Sequence, residues 1–151
     1  MRNSRQVEPA GPICVDTVAC RLQRLGRAQR LMVSTGLERI GLHAGQEHAL
    51  SALWTHGPQT QAALAARVGV DTSTMCRTLQ RLERAGYVPR SPGATDRRTT
   101  VVAPTEAAGA LRDGLAGVYD SMEERLTAAL TDAERRELAR LLQKMLDSLA
   151  G

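Results

Sequence analysis

Apolar residues recur along this chain at intervals of three and four, in blocks separated by glycine, proline and threonine. That period belongs to helices burying one stripe. The first block, from about Cys14 to Ile40, carries Val18, Leu22, Leu25, Met32 and Val33, with Gln29 as its polar gap and Arg21, Arg24, Arg27 and Arg30 on its flanks. The second, His43–His56, presents Leu50, Leu53 and Trp54 before Gly57-Pro58 ends it. Thr60 is a good N-cap for a short third helix over Ala62–Val68, because its hydroxyl oxygen can accept a free N–H of the first turn.

Gly69 breaks that helix, and Asp71-Thr72-Ser73 starts another, reaching Ala85. Met75, Leu79 and Leu82 form its buried stripe; Thr72, Ser73, Cys76, Arg77 and Gln80 lie opposite. Gly86 stops the helix, Tyr87–Arg90 reads as a short strand, and Ser91–Asp96 as a turn-rich loop ending in Arg97-Arg98. Thr99–Ala103 reads as the returning strand. Two short helices around a tight turn, followed by a hairpin with arginines at its tip, make a winged helix-turn-helix.

Beyond the hairpin, Thr105 caps one long helix whose stripe runs Leu111, Leu115, Val118, Met122, Leu126 and Leu130. Thr131 and Glu134 then form a capping box for a last helix with Leu138, Leu141, Leu142, Met145, Leu146 and Leu149 on one face. The expected fold is mainly α with a small β-wing. Residues 1–12 form a flexible arm, 13–41 an N-terminal dimerisation helix, 42–104 the winged helix and 105–151 the C-terminal dimerisation helices. A winged helix closes its own core, so the three outer apolar faces call for a second copy. The alternative is a monomer in which they cap the central domain.

Composition narrows this picture. The chain has 151 residues, no Phe and 2% aromatics, so its core must be Leu, Val, Ala and Met, which favours helices over a sandwich. Residues 59–98 hold seven arginines against three acids, an excess of four that equals the net charge of the whole chain, +4. The basic excess thus sits on the element shaped to enter a groove, as nucleic-acid binding requires. Cys14, Cys20 and Cys76 are odd in number and lack metal-ligand spacing, consistent with reduced thiols in a cytosol. No apolar run approaches the ~20 residues of a membrane span, and no charged-then-apolar leader opens the chain. The expected location is cytoplasmic.

Enzyme chemistry finds no support. There is no P-loop, no dinucleotide fingerprint and no ordered Ser-His-Asp set. His43, His48 and His56 do not fall on one helix face as a regular ligand set, so neither a metal nor a cofactor is expected.

The stretch HGPQTQAALAARVGVDTSTMCRTLQRLERAGYVPRSPGATDRRTTVVAPTEA resembles the MarR family of bacterial transcriptional regulators. Its most specific piece is Asp96-Arg97-Arg98, followed by a short strand and Thr105-Glu106-Ala107. The likeness extends over about residues 15–149. It implies a homodimer with a winged helix at each lower corner and both chain ends in the dimerisation region. It also implies a repressor that leaves double-stranded DNA when a small aromatic or anionic effector binds or a cysteine is oxidised. His43 stands where the family usually has a capping threonine or serine.

Within that frame Arg77 can fork onto a guanine edge and Gln80 can pair with adenine. Thr72 and Ser73 can reach base edges or phosphate, while Thr74 and Arg81 are placed as phosphate anchors. Arg98 is the candidate for the minor groove, steadied by Asp96; Arg97 is the alternative or holds a phosphate. Two-fold symmetry asks for a pseudo-palindromic operator with half-sites about 10 bp apart. The implied effector pocket lies between the dimerisation helices and the winged helix, with Arg21, Arg24, His43, His48 and Trp54 as candidates. Cys76 faces DNA, either as a small filler or as a thiol whose oxidation adds bulk there. A winged helix used as a protein-interaction module is the remaining alternative, and the clustered arginines argue against it.

Overall fold

Leucines from four helices meet in the middle of the molecule, where Leu37, Leu50, Leu53, Leu64, Leu79 and Leu82 are removed almost wholly from water. Each such side chain contributes about 1.5–3 kcal/mol relative to leaving it exposed. The computed structural model describes residues 17–93 and 99–150. In chain order they form α1 (Val18–Arg39), α2 (Gln46–His56), β1 (Gln59–Thr60), α3 (Gln61–Val68), α4 (Thr72–Arg84), β2 (Arg90–Pro92), β3 (Thr100–Val102), α5 (Glu106–Gly109), α6 (Arg112–Thr127) and α7 (Asp132–Leu149). Helices α2, α3 and α4 pack on one another, and a three-stranded antiparallel sheet of order β1-β3-β2 closes the unit. Helix α1 packs along α6 outside it.

The periodic reading locates every main helix, and the buried stripe of α4 is Met75, Leu79 and Leu82 as expected. Thr60 caps α3 by accepting from the Ala63 N–H at 3.1 Å. Thr131 and Glu134 form the expected reciprocal capping box. Thr105 does more than cap α5. Its hydroxyl donates to the Gly86 carbonyl at 2.8 Å, and its N–H donates to the Tyr87 carbonyl at 2.9 Å, fastening the segment after the hairpin to the turn that ends α4.

Several boundaries move. Helix α1 starts at Val18, not Cys14, because the Thr17 side chain accepts from the Cys20 N–H and sets the first turn. Helix α2 starts at Gln46, not His43: Gly45 is left-handed at φ 91°, and the Gln46 side chain accepts the His43 N–H at 2.8 Å. The Gln46 N–H is met by the His43 carbonyl at 3.0 Å, so α2 begins without a side-chain cap.

The strand expected over Tyr87–Arg90 lies at Arg90–Pro92 instead. The Tyr87 N–H is spent on the Leu82 carbonyl and its own carbonyl on Thr105, while Val88 is buried. Pro92 is tolerated because β2 is an edge strand and needs no outward donor. Strand β1, two residues paired with Val101 and Val102, was not anticipated; so short a strand has no periodicity to read.

The long helix expected after Thr105 is broken into α5 and α6. At the joint the Leu111 N–H reaches back three residues to Ala108, and the ladder of four resumes at Leu115. Gly109 sits beside that joint, and glycine costs a helix about 1 kcal/mol relative to alanine. No described helix is long and apolar enough to cross a membrane.

Candidate nucleic-acid interface

The α3–α4 pair is built by its caps. Gly69 ends α3 in the left-handed region at φ 77°, where a side chain would be strained, and its N–H and that of Val70 both return to the Ala65 carbonyl. The chain then turns at once into Asp71, the N-cap of α4. The Asp71 carboxylate accepts from the Thr74 N–H at 2.8 Å, from the Thr74 hydroxyl at 2.6 Å and from the Ser73 hydroxyl. These donors, Ser73 first, hold its acid well below the usual carboxylate range.

The capping network changes how the start of α4 can be used. Ser73 and Thr74 were expected to reach DNA, yet both hydroxyls already donate to Asp71, leaving only lone pairs to offer. Thr72 is exposed beside them. Farther along, Arg77, Arg81 and Arg84 stand at intervals of four and three, two residues out of phase with Met75, Leu79 and Leu82. That offset puts the arginines on the face opposite the buried one. All three are exposed, and none has an acidic or hydrogen-bonding partner among the described residues. Gln80 is exposed with its amide 3.7 Å from the Cys76 sulfur. Cys76 is half-buried and Cys20 buried, so a redox reading rests on Cys76; Cys14 lies outside the described residues.

Glu83, the acid that would oppose this row, is turned away. It pairs with Arg90 of β2 at 3.0 Å, locking the base of the hairpin to α4. The sequence reading counted Arg90 with the basic excess and missed this pair, which lies seven residues apart with no motif to mark it. Strands β2 and β3 pair from Arg90↔Val102 to Pro92↔Thr100, and the Gly93 N–H continues the ladder to Thr99 at 2.9 Å. The tip with Asp96, Arg97 and Arg98 lies outside the described residues.

The five candidate effector residues do not converge. Arg21 is in the first turn of α1, and Arg24 borders a shallow hollow with Cys20 and Leu31. His43 faces Arg81 and Arg84 across another. His48 is on the outer side of α2, its Nε2 3.4 Å from Glu47 Oε1. Trp54 lies under the Arg112 guanidinium, 5.3 Å from its ring centroid, and Arg112 also donates to the Trp54 carbonyl at 3.4 Å. Sequence reasoning missed Glu47, which is buried with one carboxylate oxygen lacking a partner. Burial, with the Glu47 charge adding to it, pushes the Tyr119 phenol up.

The MarR family model matches residues 42–100. The HTH-type transcriptional repressor NicR of Pseudomonas putida is 36% identical over 99 residues, 66% of this chain and 63% of its own length, just short of two thirds. The HTH-type transcriptional repressor Rv2887 of Mycobacterium tuberculosis is 30% identical over 124 residues, 82% of this chain and 89% of its own. The reduced form of MarR from E. coli superposes with a TM-score of 0.78 over 88% of this chain and 98% of that one, at 24% identity.

Proposed function

Since the chain belongs to the MarR family and is a DNA-binding transcriptional regulator rather than an enzyme, we propose that it works as a homodimeric repressor released by a small aromatic or anionic effector. Residues 42–104 bind the duplex, and residues 13–41 and 105–151 build the dimer. Two copies present their α4 helices to adjacent major grooves of an imperfect palindrome, half-sites about 10 bp apart. Arg77 reads guanine and Gln80 adenine; Arg81 and the Thr72 hydroxyl donate to phosphates, while Ser73 and Thr74, whose hydroxyls already donate to Asp71, offer lone pairs to base N–H groups. Arg98, steadied by Asp96 and assisted by Arg97, enters the minor groove. The protein acts in the cytoplasm, where its DNA is.

One observation supports this reading above the rest: three guanidinia without a partner among the described residues stand in line on one side of a helix whose other side, Met75, Leu79 and Leu82, is buried. Such a row is costly in self-repulsion unless a polyanion meets it. The dimer is supported by the exposed apolar face of α7.

The test is a fluorescence anisotropy titration with DNA flanking the protein's own gene. Arg77→Ala should cost ~1–3 kcal/mol on the cognate site and relax the choice of base at one position. Equal losses on cognate and random DNA would reassign Arg77 to the backbone, and no binding at low salt would remove the function altogether.

A further inference from the structure

The chain crosses between the winged helix and the outer helices twice, and neither crossing is continuous helix. At the first, α1 ends at Arg39 and the chain turns through Gly41, left-handed at φ 78°, before α2 begins. At the second, between α5 and α6, the Leu111 N–H reaches back only three residues, to Ala108. Leu37 and Leu115 pack into the core beside these crossings. Apolar burial holds them there without fixing a direction, because it scales with area and not with angle.

A directional contact stands just past the second crossing. Arg112 is the first residue of α6, and its guanidinium reaches Trp54 in the last turn of α2. It lies 5.3 Å from the ring centroid and donates to the Trp54 carbonyl at 3.4 Å. Trp54 Nε1 is buried with no partner among the described residues, so the ring is steadied by the cation over its face and not by a hydrogen bond of its own. Seven residues back on α2, the Glu47 charge acts on the Tyr119 phenol of α6, yet one Glu47 carboxylate oxygen is left without a partner among the described residues. The bond from Arg112 is the one hydrogen bond between α2 and α6 among those residues.

We propose that Arg112 is a positioning residue: braced on Trp54, it fixes the angle at which each winged helix hangs from the dimer, and thereby the separation of half-sites that the dimer accepts. Arg112 lies on neither α4 nor the hairpin. It acts through Trp54 and α2, against which α4 packs. In a two-fold pair a swing about the crossings moves both α4 helices, and neighbouring base pairs are only about 3.4 Å apart along the duplex. The inference rests on the homodimeric repressor reading above.

Selection of tight binders from random duplexes of roughly 30 bp, enough for two half-sites about 10 bp apart, tests it with the full chain. The wild type should recover paired half-sites at one separation, and Arg112→Ala the same half-sites over a spread of separations. In anisotropy titrations of the recovered site, changing the separation by one base pair should cost the wild type about tenfold, the size of a single mismatch, and Arg112→Ala about threefold or less. Arg112→Lys keeps the charge but loses the flat face that covers the ring, so it should relax the separation as well. Should the alanine variant fold poorly, the lysine variant carries the same comparison. A merely structural role predicts weaker binding with the one-base-pair penalty intact, and that result overturns the inference while the repressor reading stands. A wild type that selects no paired half-sites sinks both.

Discussion

Helices α4 and α7 are built on the same sequence plan, a stripe of leucines and a methionine on one face and charges on the other, yet they end in opposite states. In α4 the stripe disappears into its own chain: Met75 keeps 1% of its surface and Leu79 and Leu82 none. In α7 no residue is buried; Leu146 keeps 60% and Leu149 83%. The difference lies in the neighbours. Helix α4 is held against α2 and α3 by short connections, whereas no described part of the chain buries the apolar face of α7. Amphipathicity states that a face must be buried; it does not name the surface that buries it. One helix therefore leaves its charges in solvent, and the other leaves its leucines there.

The contrast breaks most visibly at α7. Replacing Leu141 and Leu146 by glutamate removes four leucines from a two-fold interface, at about 1.5–3 kcal/mol each. Sedimentation should show monomers, and operator binding should be lost with far-ultraviolet circular dichroism unchanged. A persisting dimer would mean that α7 is not its seat. Leu79→Ala should act in the reverse sense. It leaves a cavity in the winged helix, costs ~2–5 kcal/mol in denaturant unfolding, and leaves the dimer interface untouched. A loss no larger than that of a surface change would place Leu79 outside the core.

The smallest effect belongs to the cap of α4. Asparagine caps a helix as well as aspartate, so Asp71→Asn removes the charge and keeps the cap. The acid of Asp71 is depressed in the folded chain, so its contribution is whole above the ordinary value near 3.8 and fades as pH falls below it. The Tm advantage of the wild type over Asp71→Asn should therefore shrink with acidification. Two parallel Tm curves across the acid range would show that the carboxylate's charge contributes nothing.

What could be read in the chain, and what could not, divides along the range of the interactions. The cap at Thr60, the break at Gly69 and the stripe of α4 are local, and spacing revealed them. The placement of Tyr87 outside the sheet, by contrast, depends on Thr105, a residue 18 positions away whose N–H takes the Tyr87 carbonyl. The pairing of Glu83 with Arg90 and the scatter of the five effector candidates depend likewise on which elements pack together. Ser73 and Thr74 were legible as polar residues at a helix start, but not as donors already committed to Asp71.

By itself, then, the order of residues determined where helices begin and end, which face of each is apolar, and where the basic excess gathers, because a helix repeats every 3.6 residues and caps act within one turn. Only the tertiary structure decided which arginines are left without a partner among the described residues and that Glu83 is drawn off to Arg90 of the hairpin. Those outcomes depend on side chains far apart in sequence meeting at a few ångströms, a distance that no local period records.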